Sequence, residues 1–192
     1  LFAINKIEHA DISGSKEIVI FQSPSAVKNY SFLEKLADKK IIAMGPGTQK
    51  ALQEKGLDST LPKNYNSAGI IEYLKSDFDD NSVLIVKGEN GVNDIEEHIN
   101  NYGGDVESIS VYRRNVFEDY TQIGNDYLNA DAIIFTSTMA VKIYFEKIYQ
   151  NKVDTRFYSI SNRIKRKIQE YGLKAITLDY FSDNLLDEIK ST

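Results

Sequence analysis

The sequence predicts an α/β fold of two similar domains, each a parallel sheet flanked by helices. Three observations carry that prediction. First, part of the chain is written twice. IVIFQSPSAV at 18–27 returns as AIIFTSTMAV at 132–141, which sets Phe21, Ser23, Ala26, Val27, Lys28 and Tyr30 opposite Phe135, Ser137, Ala140, Val141, Lys142 and Tyr144. LQEKGL at 52–57 returns as IQEYGL at 168–173, and Ser67, Ile70 and Ile71 return as Ser182, Leu185 and Leu186. Second, short apolar runs alternate with amphipathic stretches, as they do where helices connect parallel strands. Third, glycines stand where helices should stop, at Gly56 and at Gly103-Gly104. Such repetition points to two half-structures that could face each other across a cleft. Differences between the copies are candidates for function.

In order, the first copy reads as strand 17–21, helix 25–36, strand 40–44, helix 47–55, strand 59–61, helix 67–75, strand 82–86, helix 93–102 and strand 105–111. The second reads as strand 132–135, helix 140–149, strand 156–160, helix 163–171, strand 175–178 and helix 182–190. The first copy thus runs on for two strands more than the second. A matching second sheet needs a further strand–helix–strand unit, expected to precede residue 1. Its absence here leaves 8–110 as a complete α/β domain, 1–7 and 111–117 as a two-strand linker, and 118–192 as the remainder of the second α/β domain.

Composition removes several function classes. With 28 acidic against 23 basic residues the net charge is −5, which argues against wholesale nucleic-acid binding. There is no cysteine, so no thiolate metal site, disulfide framework or cysteine nucleophile. His9 and His98 are the two histidines, which leaves little for a zinc site or a Ser-His-Asp triad. No apolar run approaches the ~20 residues of a membrane span, and no signal peptide is visible. The expectation is a cytoplasmic protein with no membrane or nucleic-acid partner and little to hold a metal ion.

Ligands of open parallel sheets sit beyond the carboxyl ends of the strands. Polar or glycine-rich turns fall there at Gln22-Ser23-Pro24-Ser25, Gly45-Pro46-Gly47-Thr48, Lys87-Gly88-Glu89-Asn90-Gly91, Thr136-Ser137-Thr138-Met139 and Ser161-Asn162-Arg163. Each precedes a helix, whose first N–H groups are unpaired and partly positive and so suit carboxylate or phosphate. Any single turn is explained as an ordinary serine or threonine cap. A set converging from two repeats points to an anion site.

These motifs, in order, resemble the uroporphyrinogen-III synthase family: FQSPSAV at 21–27, AMGPGTQKAL at 43–52, VKGENG at 86–91, VYRR at 111–114 and FTS at 135–137. Their order and spacing, rather than any one of them, carry the resemblance across nearly the whole chain. It implies two α/β domains joined by a pair of strands, the first domain drawing on both chain ends. The family's opening unit, usually with an early Thr-Arg pair, is missing here. The implied activity is closure of hydroxymethylbilane to uroporphyrinogen III, with the last ring inverted through a spiro intermediate, water lost and no cofactor used. Without an enzyme the chain closes uninverted, so catalysis is largely control of conformation. The substrate carries eight carboxylates, and its supply implies a transient hand-off from hydroxymethylbilane synthase.

By this resemblance one wall of the site holds Ser23, Pro24, Gly47, Thr48, Ser67, Ala68, Lys87, Gly88, Glu89 and Asn90. The other holds Ser137, Thr138, Met139, Ser161 and Asn162, with Arg163 as a further candidate. Tyr112 matches the tyrosine that the family places near the leaving hydroxyl, where a phenol can donate a proton or orient the group. The alternative for Tyr112 is a packed hinge residue.

The second repeat departs from the family's Gly-Pro-x-Thr. It reads Ser161-Asn162-Arg163-Ile164, with Ile164 opposite Thr48, and Thr138-Met139 replace Pro24-Ser25. A basic run, Arg163, Lys165, Arg166 and Lys167, opens a helix against its dipole. It is either a solvated face or, at Arg163, a contact to the polyanion. Asp77, Asp79 and Asp80 lack EF-hand spacing and read as a solvated turn. Gly45-Pro46-Gly47-Thr48 has no Gly-Lys-Ser/Thr ending and is no P-loop. His98 reads as a surface residue and His9 as a residue near the hinge without an evident partner. A two-lobed anion-binding or regulatory protein without chemistry is the alternative function.

Overall fold

Strict alternation within three apolar runs builds the larger sheet. The computed structural model describes residues 1–75, 82–151, 154–180 and 182–191. Strands β1 (Phe2–Lys6), β2 (Ile18–Phe21), β3 (Lys40–Ala43), β4 (Val83–Gly88) and β5 (Val106–Val116) form a five-stranded sheet in the order β1-β5-β4-β2-β3. The β2–β3, β2–β4 and β4–β5 pairs are parallel. Val19, Phe21, Ile41, Ala43, Leu84 and Val86 turn to one face, where they pack with Ala26 and Val27 of helix α1 (Pro24–Asn29) and Ala51 and Leu52 of α2 (Pro46–Gln53). Ile18, Ile20, Ile42, Val83 and Ile85 turn to the other, against Ile70 and Leu74 of α3 (Ser67–Lys75) and Ile95 and Ile99 of α4 (Asp94–Asn101). A sheet covered on both faces needs apolar residues at every position, which is why these strands read as unbroken Ile/Val runs.

Contacts divide the chain into two compact units, Ile4–Arg114 and Leu1–Ala3 with Asn115–Thr192. The second unit contains helix α5 (Thr121–Leu128) and a three-stranded parallel sheet, β6 (Ala132–Phe135), β7 (Arg156–Ser159) and β8 (Ile176–Thr177). Ile133, Phe135 and Phe157 bury one face against Val141 and Tyr144 of α6 (Thr138–Lys147) and Ile164 and Ile168 of α7 (Asn162–Gln169). Arg156 and the buried Tyr158 donate from β7 to the carbonyl of Ile189 in α8 (Leu185–Ser191).

Three expectations change in detail. Helix 25–36 is two pieces, α1 and a 3-10 turn at Leu33–Leu36. The break is at Tyr30, whose extended backbone ends α1 and whose ring is buried edge-on to Phe21. The expected strand 59–61 is reduced to one bridge, Thr60 with Ile42. Helix α5 was not foreseen; none of its residues is fully buried, and it leans on the core through the half-buried Ile123, Tyr127 and Leu128. The acidic turn of Asp77, Asp79 and Asp80 lies outside the described residues.

Candidate active site

Register places the polar turns on one level in each unit. Phe21 pairs with Ala43 and with Val86, so Ser23, Gly45 and Gly88 follow two residues later on three adjacent strands. In the other unit Phe135 pairs with Ser159, and Ser137 and Ser161 follow two residues later in the same way. The carboxyl ends of both sheets therefore repeat one arrangement, strand, two residues, helix cap.

The caps are made by side chains in four of these turns. Ser23 Oγ accepts from the Ala26 amide at 3.1 Å, Ser137 Oγ from Ala140 at 3.1 Å, and Ser161 Oγ from Ile164 at 3.4 Å. At α3 the cap is Asn66, whose Oδ1 accepts from the Gly69 amide at 2.9 Å. The repeat pointed to Ser67 and missed Asn66, although an asparagine before a helix is itself a cap signal. Gly45, before α2, makes no side-chain cap. Pro24, Gly47, Ser67, Ala68, Thr138, Asn162 and Arg163 all fall in the first turns of these helices. Thr138 and Met139, with Val116, Lys142 and Lys167, line a groove of about 520 Å³ within their own unit. Thr48 is only 3% exposed, and Ile164 at the matching position of the other repeat is equally buried. Arg163 is exposed.

Within the Ile4–Arg114 unit, three expected residues come together: Ser23, Gly88 and Tyr112. Tyr112 lies across from Gly88 in β5, after a register shift between Lys87 and Gly88. Its hydroxyl is 3.0 Å from Ser23 Oγ and accepts from Arg114 Nη2 at 2.8 Å. The Arg114 guanidinium also sits 5.1 Å from the centre of the Tyr112 ring, a cation–π distance. Arg114 was not singled out from the sequence, where VYRR gave no reason to prefer it over Arg113.

Lys87 is engaged elsewhere. Its ammonium is buried and donates to Asn93 Oδ1 at 2.7 Å and Glu96 Oε2 at 2.9 Å, on and just before α4. Burial pushes the Glu96 carboxyl up, but the hydrogen bonds from Lys87 and Ser108 outweigh it and hold the group below its ordinary range. Glu89 and Asn90 are exposed in the turn after β4; Glu89 lies 3.7 Å from Arg113, and Asn90 takes a left-handed backbone with φ 59°. His9, for which the sequence suggested no partner, is held at Nδ1 by the Ile7 carbonyl and at Nε2 by the Ser31 amide, and stacks on Tyr30. Among the described residues no group of three His, Cys, Asp or Glu could hold a metal ion, and no helix is long and apolar enough to cross a membrane.

Parallel sheets with helices on their faces, and polar caps gathered at the strand carboxyl ends where such sheets bind ligands, define the class: a two-unit α/β protein built on an internal repeat. The chain belongs to the uroporphyrinogen-III synthase family, whose model, described as uroporphyrinogen-III synthase HemD, matches residues 3–186. That family is one of cofactor-independent cyclising lyases of tetrapyrrole biosynthesis. The fold is similar to the uroporphyrinogen-III synthetase of Helicobacter pylori, with a TM-score of 0.74 and 18% identity over 100% of this chain and 90% of that one. It is also similar to a mutant uroporphyrinogen III synthase of Thermus thermophilus, with a TM-score of 0.63 and 15% identity over 99% and 86%. A 44-residue stretch is 46% identical to a protein of Archaeoglobus fulgidus provisionally named a uroporphyrinogen-III synthase. That stretch spans 23% of this chain and 20% of the curated relative.

Proposed function

We propose that this protein closes hydroxymethylbilane into uroporphyrinogen III, inverting the last ring and releasing water. The family match over residues 3–186 carries the reading. Its chemical plausibility rests on the repeated level of helix starts. A polycarboxylate suits backbone N–H groups, which attract anions through fixed dipoles on an acidic protein of net charge −5. Ser23, Pro24, Gly47, Ser67, Ala68, Gly88 and Asn90 serve one set of carboxylates, and Ser137, Thr138, Met139, Ser161, Asn162 and Arg163 the other. Thr48, Lys87 and Glu89 support the turns that hold them. Tyr112 acts at the leaving hydroxyl.

Hydroxymethylbilane closes uninverted when left alone, so direct receipt from hydroxymethylbilane synthase in the cytoplasm is part of the reading. The test is the isomer ratio. Given hydroxymethylbilane, the intact protein should yield uroporphyrinogen III in large excess over isomer I. A product mixture equal to that without protein refutes the reaction. A second reading, a binding or regulatory relative, has Ile164 in its favour, a core residue where the family has threonine. Tight tetrapyrrole binding without isomer control would select it.

A further inference from the structure

The hydrogen bonds of Arg114, Tyr112 and Ser23 run in one direction. A guanidinium has donors only, so the 2.8 Å contact makes the phenol oxygen of Tyr112 an acceptor from Arg114. The single phenol hydrogen then has Ser23 Oγ, 3.0 Å away, as its partner. Leaving it unmade would be costly, because Tyr112 is 2% exposed. Ser23 Oγ also accepts from the Ala26 amide. Both acceptor positions of the serine are thus filled from inside the protein. Its own O–H is used in neither of these bonds. Ser23 is half-buried at the end of β2, where ligands of such sheets arrive, whereas Tyr112 is covered.

We infer, resting on the reaction proposed above, that Ser23 is the group that delivers the proton to the departing hydroxyl. Tyr112 refills it from behind, and Arg114 is the positioning residue that sets the direction. In the step, the C–O bond of the hydroxymethyl group breaks and its electron pair leaves with the oxygen. The Ser23 proton joins that oxygen, and water departs. The Tyr112 proton moves to Ser23 Oγ, and the phenolate so formed stays against the Arg114 guanidinium, whose charge faces the developing negative charge. Electron density from the pyrrole ring fills the vacated carbon, giving a cationic azafulvene. The linked carbon of the last ring bonds to the azafulvene carbon, giving the spiro intermediate. Its old bond to the neighbouring bridge carbon then breaks. That bridge carbon bonds to the free carbon of the now inverted ring, which releases a proton to the phenolate and restores the charge balance.

The test uses the intact protein. Ser23→Gly removes the hydroxyl at a helix cap where glycine is tolerated. It should lower kcat by about 100-fold or more, the scale of a lost proton donor, and raise KM by a much smaller factor. Ser23→Thr, which keeps the hydroxyl, should recover to within about tenfold of wild type. Arg114→Met should lower kcat, and the Arg114→Met/Ser23→Gly double variant should be no slower than Ser23→Gly alone, because the groups act as a unit. A Ser23→Gly enzyme within about threefold of wild type in kcat, no recovery by threonine, or losses that multiply would each overturn the relay. An inactive wild type would instead overturn the proposed reaction. The relay then stands or falls on proton NMR. The Tyr112 hydroxyl hydrogen, assigned with Tyr112→Phe, should exchange at least about tenfold faster in Ser23→Gly than in wild type. Equal exchange rates would show that the chain does not run as drawn.

Discussion

A Cβ added to Gly88 would lie 2.5 Å from Cζ of Tyr112 and 2.8 Å from its hydroxyl oxygen. The ring fills the volume that any side chain at residue 88 would need, so the glycine of VKGENG is the seat of the tyrosine. Gly88→Ala should cost about 1–3 kcal/mol, as overpacking does. Thermal unfolding should then occur ~2–4 °C lower per kcal/mol lost. The clash is with the outer end of the ring, so the same change in a Tyr112→Leu background should cost clearly less. Equal costs in the two backgrounds would show that the ring is not what excludes a side chain.

Lys16 is 2% exposed and holds Asp105 and Glu107, each at 2.9 Å, while those carboxylates are 60% and 52% exposed. The asymmetry predicts an unequal response. The acids can be solvated without their partner, but the lysine cannot. Asp105→Asn with Glu107→Gln should therefore destabilise by about 2–4 kcal/mol, because it strands a buried charge. Lys16→Met should cost less. Urea denaturation of the two variants checks the order, and a costlier Lys16→Met would reverse the argument.

Asp11 accepts from Lys35 Nζ at 2.7 Å and from the hydroxyl and amide of Ser13 at 2.6 and 3.0 Å. The Lys35 hydrogen bond first, and the Ser13 bonds next, lower its carboxyl from 3.8 to about 2. A depressed folded value gives stability that is present above the unfolded value and lost as pH falls through the folded one. Asp11→Asn should thus be less stable than wild type at neutral pH, by a modest amount because Lys35 is largely exposed. The gap should close between about pH 4 and about pH 2. A gap that stays constant across that window would refute the assignment.

Ser137 and Ser161 cap equivalent helices with bonds of 3.1 and 3.4 Å. Ser137→Ala should cost about 1 kcal/mol and Ser161→Ala less, since the longer bond gives less to lose. Thermal melting of the two single variants distinguishes them, and the reverse order would mean that bond length does not govern the caps.

Much of this was legible in the chain because it is local. The strands announced themselves as apolar runs, since sheets covered on both faces have no polar side. Ser23, Ser137 and Ser161 announced themselves as caps before helices. What escaped was decided at a distance or by weak signals. The direction of Lys87 depends on Asn93 and Glu96 of α4, and nothing in VKGENG distinguishes a lysine aimed at a ligand from one tied to a helix. Arg114 gained its place through Tyr112, two residues before it in the same strand. The break at Tyr30 follows from ring packing on Phe21 and His9. Helix α5 sets only half-buried residues against its core, and its N-cap residue makes no side-chain cap.

Lys16 clasps Glu107 at the start of β5 and Asp105 just before it, five and seven residues ahead of Tyr112. In a pleated strand a slip of one residue turns every side chain to the opposite face. The clasp therefore works as an index mark. The clasp pins the start of β5, and the register shift between Lys87 and Gly88 further along then sets Tyr112 opposite Gly88 with its phenol against Ser23. An ion pair at one end of the strand thus helps to set the address of Tyr112.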